Sequence, residues 1–519
     1  MSKTTYIDRV GACARAGFPV VFGLLLLLIP AGLFAQFYNG SNMTFGKNRV
    51  QYNNSIWSSY KFEAFDTYFY LNGKELALYT AWYTDKQLPV LERKLETVLD
   101  DKIQFIIFNN LNDLKQSNIG LSGDQQYNTG GITHILGNKV VLYGDGDHRN
   151  LERQIRAGIA DILINQLMFG GSIGSQIRNA ALFTLPDWYR NGLISYLSED
   201  WSTGTDNRLR DGLLSGRFKK INRLEGEDAI IAGHSLWRFI EIRYGPSAIT
   251  NILHLTQLTR NLQNGFLYVT GLTFKQLTNE WYQYYFDSYA SVPVVEPGKA
   301  LPYRYRDELT YSRPLASPDD TKMAFVTNRE GRLIIRLEDV VSGKSKKIYK
   351  AGFSSALKTD HSYPLLAWHP SGQILAAVVE DKGNLWLYFF NITENTHEKR
   401  IIYDFQKITS FSYSPDGQLL AMSAVRQGKP DIYVYSIASN SHTQLTNDFY
   451  TDMHPVFFDG MRQIVFSSNR TNDTLKAQTE PEFQRTTFDL FSYDFAKKSP
   501  VLKRITESPG CPSRATSLL

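Results

Sequence analysis

The spacing of apolar residues changes character along the chain. Between residues 75 and 287 they recur mainly at helical intervals, as Leu88, Leu91, Leu95 and Val98 do in a helix predicted over residues 75–99. The same spacing predicts further helices over residues 150–170, 186–198, 230–244, 246–261 and 273–287. Compact aromatic or β-branched runs predict strands at residues 65–70, 103–108 and 139–143. Strands followed by helices are typical of an α+β domain, which here ends near residue 290.

A proline-rich linker, residues 291–310, is followed by a repeated strand pattern. Four turn segments each precede a short apolar strand and a second strand: Ser317-Pro-Asp-Asp, His369-Pro-Ser-Gly, Ser414-Pro-Asp-Gly and Phe457-Phe-Asp-Gly. Their second residues, 318, 370, 415 and 458, lie 52, 45 and 43 positions apart, which is close to the length of a four-stranded propeller blade. We therefore predict a β-propeller over residues 311–507, with about four blades in a short or incomplete array, and a tail without strand pattern at 508–519.

The first 35 residues have the pattern of a secretion signal. A mildly basic start precedes an apolar run from Phe18 to Ala35, and Ala35 and Gln36 offer a cleavage point between small and polar residues. A retained membrane anchor is the alternative, although Pro19 and Pro30 interrupt a run that is short for a membrane span. No other stretch is apolar for long enough to cross a bilayer. After cleavage we expect no membrane span.

Composition restricts the class of protein further. Hydrophobic residues make up 43% and charged residues 21%, as in an ordinary folded protein. The net charge of +5 comes without a dense block of lysine and arginine, so a nucleic-acid partner is not expected. The only cysteines are Cys13 and Cys511, so the exported chain has no internal disulfide. A large exported protein without disulfides fits the periplasm or outer cell envelope of a bacterium.

Two predicted helices resemble the active-site helices of gluzincin metallopeptidases, the peptidase-MA-like group. Leu185-Pro-Asp-Trp-Tyr-Arg-Asn-Gly-Leu-Ile-Ser-Tyr resembles the helix of that group that carries the third zinc ligand, and the helix over 150–170 takes the place of the His-Glu-x-x-His helix. The resemblance puts Arg156 and Ala160 at the two histidine positions, Ala157 at the general base and Asn191 at the third ligand. These side chains offer no zinc site, so the resemblance implies a degenerate domain over residues 36–290, without catalytic residues, metal or cofactor.

The repeats resemble TolB-like, WD40-like (PD40) propellers of exported bacterial proteins. Thr327-Asn-Arg and Ser468-Asn-Arg add to that likeness, and the opening Phe45-Gly-Lys-Asn-Arg-Val-Gln-Tyr resembles proteins that join a peptidase-MA-like domain to such a propeller. The fold class we predict is therefore multidomain, with an α+β gluzincin-type domain followed by a TolB-like β-propeller.

Other motifs favour structural interpretations. His148 and Glu152 are four residues apart, which we interpret as a surface interaction, and Asp145-Gly-Asp147 as a turn rather than a calcium loop. Gly170-Gly-Ser-Ile-Gly follows a helix instead of a strand and does not fit a nucleophile elbow. For Arg156 two alternatives stay open: an ion pair with Asp161 or Asp187 that fills the former metal site, or exposure to solvent. Either Asp187, Trp188 and Tyr189 line a retained cleft that binds peptide, or Trp188 and Tyr196 pack in the core of the helix pair.

The function predicted from these features is binding without catalysis. The protein would act as a scaffold for an envelope protein or peptide, through exposed propeller loops whose candidate partner contacts are Arg329, Arg470, Asp473 and Glu480. The last two lie in a polar insertion, residues 471–488, which is either a partner contact or solvated chain. Two rival hypotheses stay open. The chain is a metallopeptidase-family hydrolase with a displaced active site, or its propeller captures substrate for a separate enzyme. The oligomeric state stays open as well.

Overall fold

The computed structural model describes residues 56–116, 127–128, 131–132, 134–170, 185–290, 306, 308–352, 361–458, 460–475, 481, 485, 487–494 and 501–507. The predicted signal at 1–35, the segment Gly170-Gly-Ser-Ile-Gly beyond its first glycine, most of the linker, Glu480 and the tail at 508–519 lie outside the described residues. No helix in the described ranges is both long enough and apolar enough to cross a membrane.

A mixed five-stranded sheet opens the helical region, residues 56–290. Its strands lie in the order β1-β2-β3-β7-β6, with the central three parallel and both edge strands antiparallel to their neighbours. Strand β3 alternates buried and half-buried residues, as a strand between two layers does. The strands are β1 (Ser58–Lys61), β2 (Phe65–Phe69), β3 (Ile103–Phe108), β6 (His134–Leu136) and β7 (Lys139–Tyr143), and a separate hairpin is formed by β4 (Tyr127–Asn128) and β5 (Gly131–Ile132).

Nine α-helices accompany this sheet in the described residues. They are α1 (Lys74–Leu95), α2 (Leu111–Gln116), α3 (His148–Phe169), α4 (Asp187–Ser198), α5 (Thr203–Leu214), α6 (Gly226–Tyr244), α7 (Ser247–Thr259), α8 (Leu262–Thr270) and α9 (Phe274–Ala290). The helix predicted over 246–261 is followed by a second one, because Arg260 adopts a left-handed conformation and Asn261 caps α8. The region is therefore α+β with strands first, as the periodicity predicts.

Two glycines let α4 and α6 cross in direct backbone contact. A Cβ on Gly233 would lie 1.9 Å from the carbonyl oxygen of Trp188, and one on Gly192 would lie 2.5 Å from the Cα of Gly233. No side chain fits between the two backbones. The crossing fixes α4 against α6, and α4 also packs on α3, so the three helices that carry the polar residues described below form one unit.

Four antiparallel sheets of four strands form the propeller, residues 308–507. Each sheet is one blade: blade 1 holds β8–β11, blade 2 β12–β15, blade 3 β16–β19 and blade 4 β20–β23. The strands are β8 (Thr310–Ala316), β9 (Lys322–Arg329), β10 (Arg332–Asp339), β11 (Ser345–Ala351), β12 (Leu365–Trp368), β13 (Ile374–Asp381), β14 (Asn384–Asn391), β15 (Thr396–Ile402), β16 (Lys407–Tyr413), β17 (Leu419–Arg426), β18 (Lys429–Ser436), β19 (Ser441–Gln444), β20 (Asp452–Phe458), β21 (Gln463–Ser468), β22 (Asp489–Asp494) and β23 (Val501–Arg504).

The repeated turn segments join the first and second strands of their blades. In blade 3, the Ser414 hydroxyl donates to Asp416 Oδ1 over 2.5 Å and accepts from the Leu419 amide, while Gly417 has a φ of 74°. Ser317 makes the same two hydrogen bonds with Asp319 and Lys322 in blade 1. Serine and aspartate thus close the turn with their side chains.

Successive blades pack face to face through apolar clusters. One cluster lies between blades 1 and 2, one between blades 2 and 3, and one between blades 3 and 4. Each sheet is complete in itself, and in the described residues no strand of blade 4 is hydrogen-bonded to blade 1. The prediction of about four blades in a short or incomplete array agrees with the four sheets of the described residues.

Candidate functional site

The positions that the resemblance assigns to the zinc ligands carry no ligand atoms. Ala157 and Ala160 are buried on α3, in the core of the helical region. On the same helix Gly158 lies so close to β7 that a Cβ would come within 2.5 Å of the Val140 side chain. Asn191 on α4 is buried and donates its amide to Asp187 Oδ1 at 3.1 Å. The Arg156 cation, the methyl groups of Ala157 and Ala160 and the Asn191 amide do not fit the coordination of a zinc ion, so these positions do not form a zinc site.

Arg156 does not form the predicted ion pair with Asp161. Asp161 instead accepts a 2.5 Å hydrogen bond from Arg190 on α4, which also reaches Asn165. Arg156 is half-buried, and its Nε has no hydrogen-bond partner. Burial raises the pKa values of the nearby Glu152 and Glu199 carboxyls, and the charge of Arg156 opposes that rise. The guanidinium therefore supplies positive charge to two buried acids, one on its own helix and one beyond α4.

A buried serine, histidine and glutamate lie together where α4 and α6 meet. The Ser195 hydroxyl donates to Glu199 Oε1 over 2.8 Å and lies 2.9 Å from His234 Nδ1. All three side chains are buried, and Arg153 binds the other oxygen of Glu199 at 3.4 Å. Burial lowers the pKa of His234 to about 3 and raises that of Glu199.

This arrangement differs from a catalytic triad. In a triad the histidine lies between serine and carboxylate, whereas here the serine lies between the other two. Ser195 is 0% exposed, so no substrate carbonyl reaches it. Trp188 is also buried and donates to Asn222, and Tyr196 is buried beside His234, so both belong to the core. No local motif indicates this group, because His234 lies 39 residues from Ser195 on another helix and Glu199 lies 4 residues from it.

In the propeller, the predicted partner contact at Arg470 is wrong. Its side chain is 0% exposed, and its guanidinium already binds carboxylates of the same chain. Nη2 donates to Asp452 at 2.7 Å and Nη1 lies 3.3 Å from Asp448. The guanidinium of Arg470 therefore binds carboxylates inside the propeller and does not present its N–H groups at the surface.

Asp431 completes a cluster of three buried carboxylates around this arginine. Within the described residues, Asp431, Asp448 and Asp452 are the one group of such side chains close enough to share an ion, with oxygens within 4.8 Å of one another. Burial and the neighbouring carboxylates raise the pKa of Asp431 and raise that of Asp448 to about 7. Asp431 also accepts from Gln444 and Thr446. Arg470 is the cation of this cluster, and we therefore interpret the cluster as a structural element.

Arg329 and Asp473 are exposed. Arg329 is the last residue of β9, next to the turn between the second and third strands of blade 1. It is 57% exposed and forms a surface ion pair with Glu308 at 3.0 Å. Asp473 lies at the start of the 471–488 insertion. There the hydroxyl of Thr471 lies 2.8 Å from that of Tyr450, and the Asn472 amide donates to Tyr450. The insertion is thus held at its base.

The helical region docks on one end of the propeller, which we call the turn end because the second and third strands of each blade join there. Phe449, which precedes blade 4, is 1% exposed and belongs to the core of the helical region. Its ring lies 6.0 Å from that of Tyr79 and 6.3 Å from that of His148, and Lys429 Nζ lies 4.6 Å from its centre. An aromatic side chain of the propeller thus completes the other region's core.

Two glycines with positive φ allow this close approach. A Cβ on Gly146 would lie 2.7 Å from Val425 of blade 3, and one on Gly428 would lie 3.0 Å from Leu76. Gln406 donates to the carbonyl oxygen of Asn72 at 3.2 Å. Blade 3 is therefore in contact with the helical region at two places, the residue before β16 and the turn between β17 and β18.

His148 is part of this interface, and its interpretation as a surface residue is wrong. Its ring is buried and lies 4.2 Å from that of Tyr79, while Glu152 accepts a 2.7 Å hydrogen bond from Tyr79. Burial lowers the pKa of His148 to about 4 and raises that of Glu152 to about 7. The interpretation of Asp145-Gly-Asp147 as a turn is confirmed, since Asp145 accepts from the Asp147 amide at 3.0 Å.

Residues 305–500 match the model of the TolB beta propeller domain family. Among solved structures, the chain is similar to TolB from Acinetobacter baumannii, with 17% identity, coverage of 38% of this chain and 45% of that chain, and a TM-score of 0.29. It is also similar to a putative TolB from Agrobacterium tumefaciens, with 17% identity, coverage of 39% and 82%, and a TM-score of 0.24. For the β-propeller domain of the Trilobed protease from Pyrococcus furiosus the identity is 12%, the coverage 40% and 59%, and the TM-score 0.27.

The chain thus spans less than half the length of the Acinetobacter TolB. The search of curated proteins finds no match. The family match identifies residues 305–500 as a TolB-like β-propeller domain, in agreement with the interpretation of the repeats. It does not include the helical region, for which the peptidase-MA-like resemblance stays a prediction.

Proposed function

We propose that this protein is an exported, non-catalytic scaffold of the bacterial envelope that binds a protein or peptide through its propeller. One observation carries the proposal: the helix pair that would hold a catalytic metal has Arg156, Ala160 and Asn191 at the ligand positions and the buried Ala157 at that of the general base. The boundaries are those given by the sequence: a signal over 1–35, a degenerate peptidase-like domain over 36–290, a linker over 291–310 and the propeller over 311–507.

The surface that we assign to the partner is the turn end at blades 1 and 2. Blade 3 meets the helical region there, and Phe488 of blade 4 lies under the Arg149 guanidinium at 4.6 Å. The equivalent turns of blades 1 and 2 expose Arg329, Glu330 and Lys382. Loops held by a rigid scaffold are the usual place for binding residues, and arginine provides paired donors for a carboxylate. An acidic segment of an envelope protein fits this surface.

The rival function, hydrolysis at a displaced site, has less support. The Ser195–His234 pair is sealed from solvent, the exposed His369–Ser371 pair belongs to a turn segment of blade 2, and the cluster of three carboxylates has an arginine in place of a metal. A hydrolase needs a nucleophile or activated water that substrate can reach.

The enzyme hypothesis is tested on the purified full-length chain. Elemental analysis should find no stoichiometric zinc, and casein should not be cleaved in a chelator-sensitive manner. One zinc per chain together with chelator-sensitive cleavage would refute the non-catalytic assignment. Sequencing of the mature amino terminus should begin at Gln36, and recovery in the cytoplasmic fraction with Met1 in place would refute export.

Binding is tested by capture of envelope proteins on the immobilised full-length protein. The double variant Arg329→Ala/Lys382→Ala removes two exposed cations from the turn end, and we expect it to lose the captured partner. The control Lys344→Ala/Lys347→Ala removes two exposed cations from blade 1 away from that end. Equal capture by wild type and the turn-end variant would contradict the assignment of the surface.

A further inference from the structure

One face of blade 4 carries large apolar side chains in contact with solvent. Val456, Phe458, Leu490 and Ile505 are 53%, 60%, 40% and 51% exposed. The strand register puts them on the same face, because Val456 pairs with Val465, Phe458 with Gln463 and Leu490 with Ser467, and Ile505 donates its amide to the Leu490 carbonyl. We call these four residues and the half-buried Val465 the open face.

The open face has the same place in blade 4 as the faces that are buried in the other blades. The fourth residue of each third strand, counted from the turn, is Ile335 in blade 1, Leu387 in blade 2 and Ile432 in blade 3, and all three are 0% exposed beneath the following blade. Leu490 is the equivalent residue of blade 4 by its strand pairing.

The outer strands show the same correspondence. Leu445 in blade 3 donates its amide to the Ile432 carbonyl at 2.8 Å, as Ile505 does to Leu490 at 2.8 Å. Leu445 packs against blade 4, whereas Ile505 is exposed. The open face thus has the composition and the geometry of an interface between blades, and among the described residues no blade covers it.

We propose that the open face is a dimer interface, on which blade 4 of a second copy of this chain packs across a two-fold axis. Blades 1 to 3 show that such a face is buried by another sheet, and the second copy offers an identical sheet. A two-fold contact is self-complementary and closes at two chains. Asp494 and Lys503 flank the apolar residues on the same face, so two copies meet with balanced charge.

Packing of the open face against blade 1 of a second copy is less favourable. The face of blade 1 that points away from blade 2 presents Arg336 and Lys347, which pair across adjacent strands. Contact with this face would bring two cations against the apolar row and beside Lys503. Such a head-to-tail contact would also extend without limit unless it closed into a ring. The isologous contact between two open faces avoids both problems.

Sedimentation equilibrium of the full-length mature protein tests the proposal. We expect a monomer–dimer equilibrium with a dissociation constant of about 1 μM. The variant Leu490→Asp/Ile505→Asp should raise that constant at least about 100-fold, because it buries carboxylates in an apolar contact. As matched controls, Leu258→Asp and Val341→Asp replace residues that are 79% and 93% exposed elsewhere, and they should leave the dimer intact.

The far-ultraviolet spectrum and thermal unfolding of each variant establish that it is folded. A wild-type protein that stays monomeric at concentrations well above the micromolar range would overturn the proposal. So would a dimer that persists in Leu490→Asp/Ile505→Asp, or one that dissociates equally in the two controls. Because the open face is separate from the turn end, loss of the dimer with retained partner capture would leave the proposed function unchanged.

Discussion

The helical region and the propeller both bury acidic side chains, and in both regions arginines lie against some of them, as Arg190 does against Asp161. The regions differ at the acids that face a hydroxyl. In the helical region, Glu152 and Glu199 accept hydrogen bonds from the hydroxyls of Tyr79 and Ser195, and burial raises the pKa of each carboxyl. In the propeller, the Arg470 guanidinium lies against Asp448 and Asp452. A hydroxyl can face either form of a carboxyl, whereas a buried guanidinium requires an anion. Glu152 is therefore expected to respond mainly to pH, and the Arg470 cluster strongly to the loss of its one cation.

The largest expected effect comes from removal of the buried cation. Arg470→Met leaves Asp448 and Asp452 buried without their counterion, and breaking a buried ion pair on one side costs about 3–5 kcal/mol. We expect the free energy of unfolding, measured by urea denaturation of the full-length protein, to fall by this amount. A loss below about 1 kcal/mol would show that the carboxylates are neutral in the native state and that the contrast between the two regions is not real.

The next effect is an acid sensitivity of the interface between the two regions. The folded pKa of His148, about 4, lies below its usual value of 6.5, because burial disfavours the imidazolium. Asp147 opposes this shift and Lys429 adds to it. The unfolded chain thus binds a proton before the native one does, and stability present above pH 6.5 is lost as the pH falls towards 4. The loss amounts to about 3 kcal/mol at pH 4.

His148→Gln should remove the part of the acid-induced loss that comes from His148, while keeping a polar side chain of similar length. The buried His234, whose pKa is also lowered, keeps its own contribution in the variant. The measurement is the free energy of unfolding at about pH 7.5 and about pH 4, compared between wild type and variant. His254→Gln, at an exposed histidine of α7, is the control and should follow the wild type. If His148→Gln loses as much stability on acidification as the wild type does, then His148 is not the group that titrates.

Glu152 should give an effect of similar size and opposite sign. Its folded pKa of about 7 lies above the usual 4.5, mainly through burial, so its contribution is complete below pH 4.5 and is lost as the pH rises through 7. Glu152→Gln should therefore raise stability at about pH 8 by about 3 kcal/mol and have little effect at about pH 4. The result would contradict this account if the difference in unfolding free energy between Glu152→Gln and wild type were the same at both pH values.

The smallest effect is expected at the propeller surface. Arg329 ends the same Asn-Arg dipeptide as Arg470, but its ion pair with Glu308 is largely exposed, with both side chains more than half accessible. Arg329→Met should lower the free energy of unfolding by less than about 1 kcal/mol. The same substitution at the two arginines thus measures the difference between a buried and an exposed site. Similar losses of unfolding free energy in Arg329→Met and Arg470→Met would contradict the distinction between an exposed and a buried arginine.

These two arginines also show how far the sequence could predict the site. The repeated Asn-Arg segment placed both in equivalent turns, and nothing local distinguished them. Asp448 and Asp452, which bury Arg470, lie 22 and 18 residues earlier and come into contact only when β20 pairs with β21. Burial of a charge therefore depends on long-range pairing, whereas the presence of the strands follows from local alternation.

The fold of the helical region was predictable to a similar extent. The helix predicted over 75–99 ends at Leu95, because Glu96 adopts a left-handed conformation, and the helix over 186–198 is present as Asp187–Ser198. Asn261 was an available signal for a helix start, and its side chain accepts from the Gln263 and Asn264 amides. The docking of Phe449 had no such signal, because a phenylalanine in a loop does not indicate which core it will enter.

The position of Phe449 has a consequence for how the chain holds together after a break. A phenylalanine of the propeller is 1% exposed in the core of the helical region, and blade 3 touches α1 and its preceding loop at Leu76 and Asn72. A protease cut between residues 291 and 305 would sever the backbone without removing any of these contacts. The two fragments should then travel as one particle under native conditions and separate only in denaturant. The backbone segment that links the two regions and the noncovalent contacts that hold them together thus lie in different parts of the molecule.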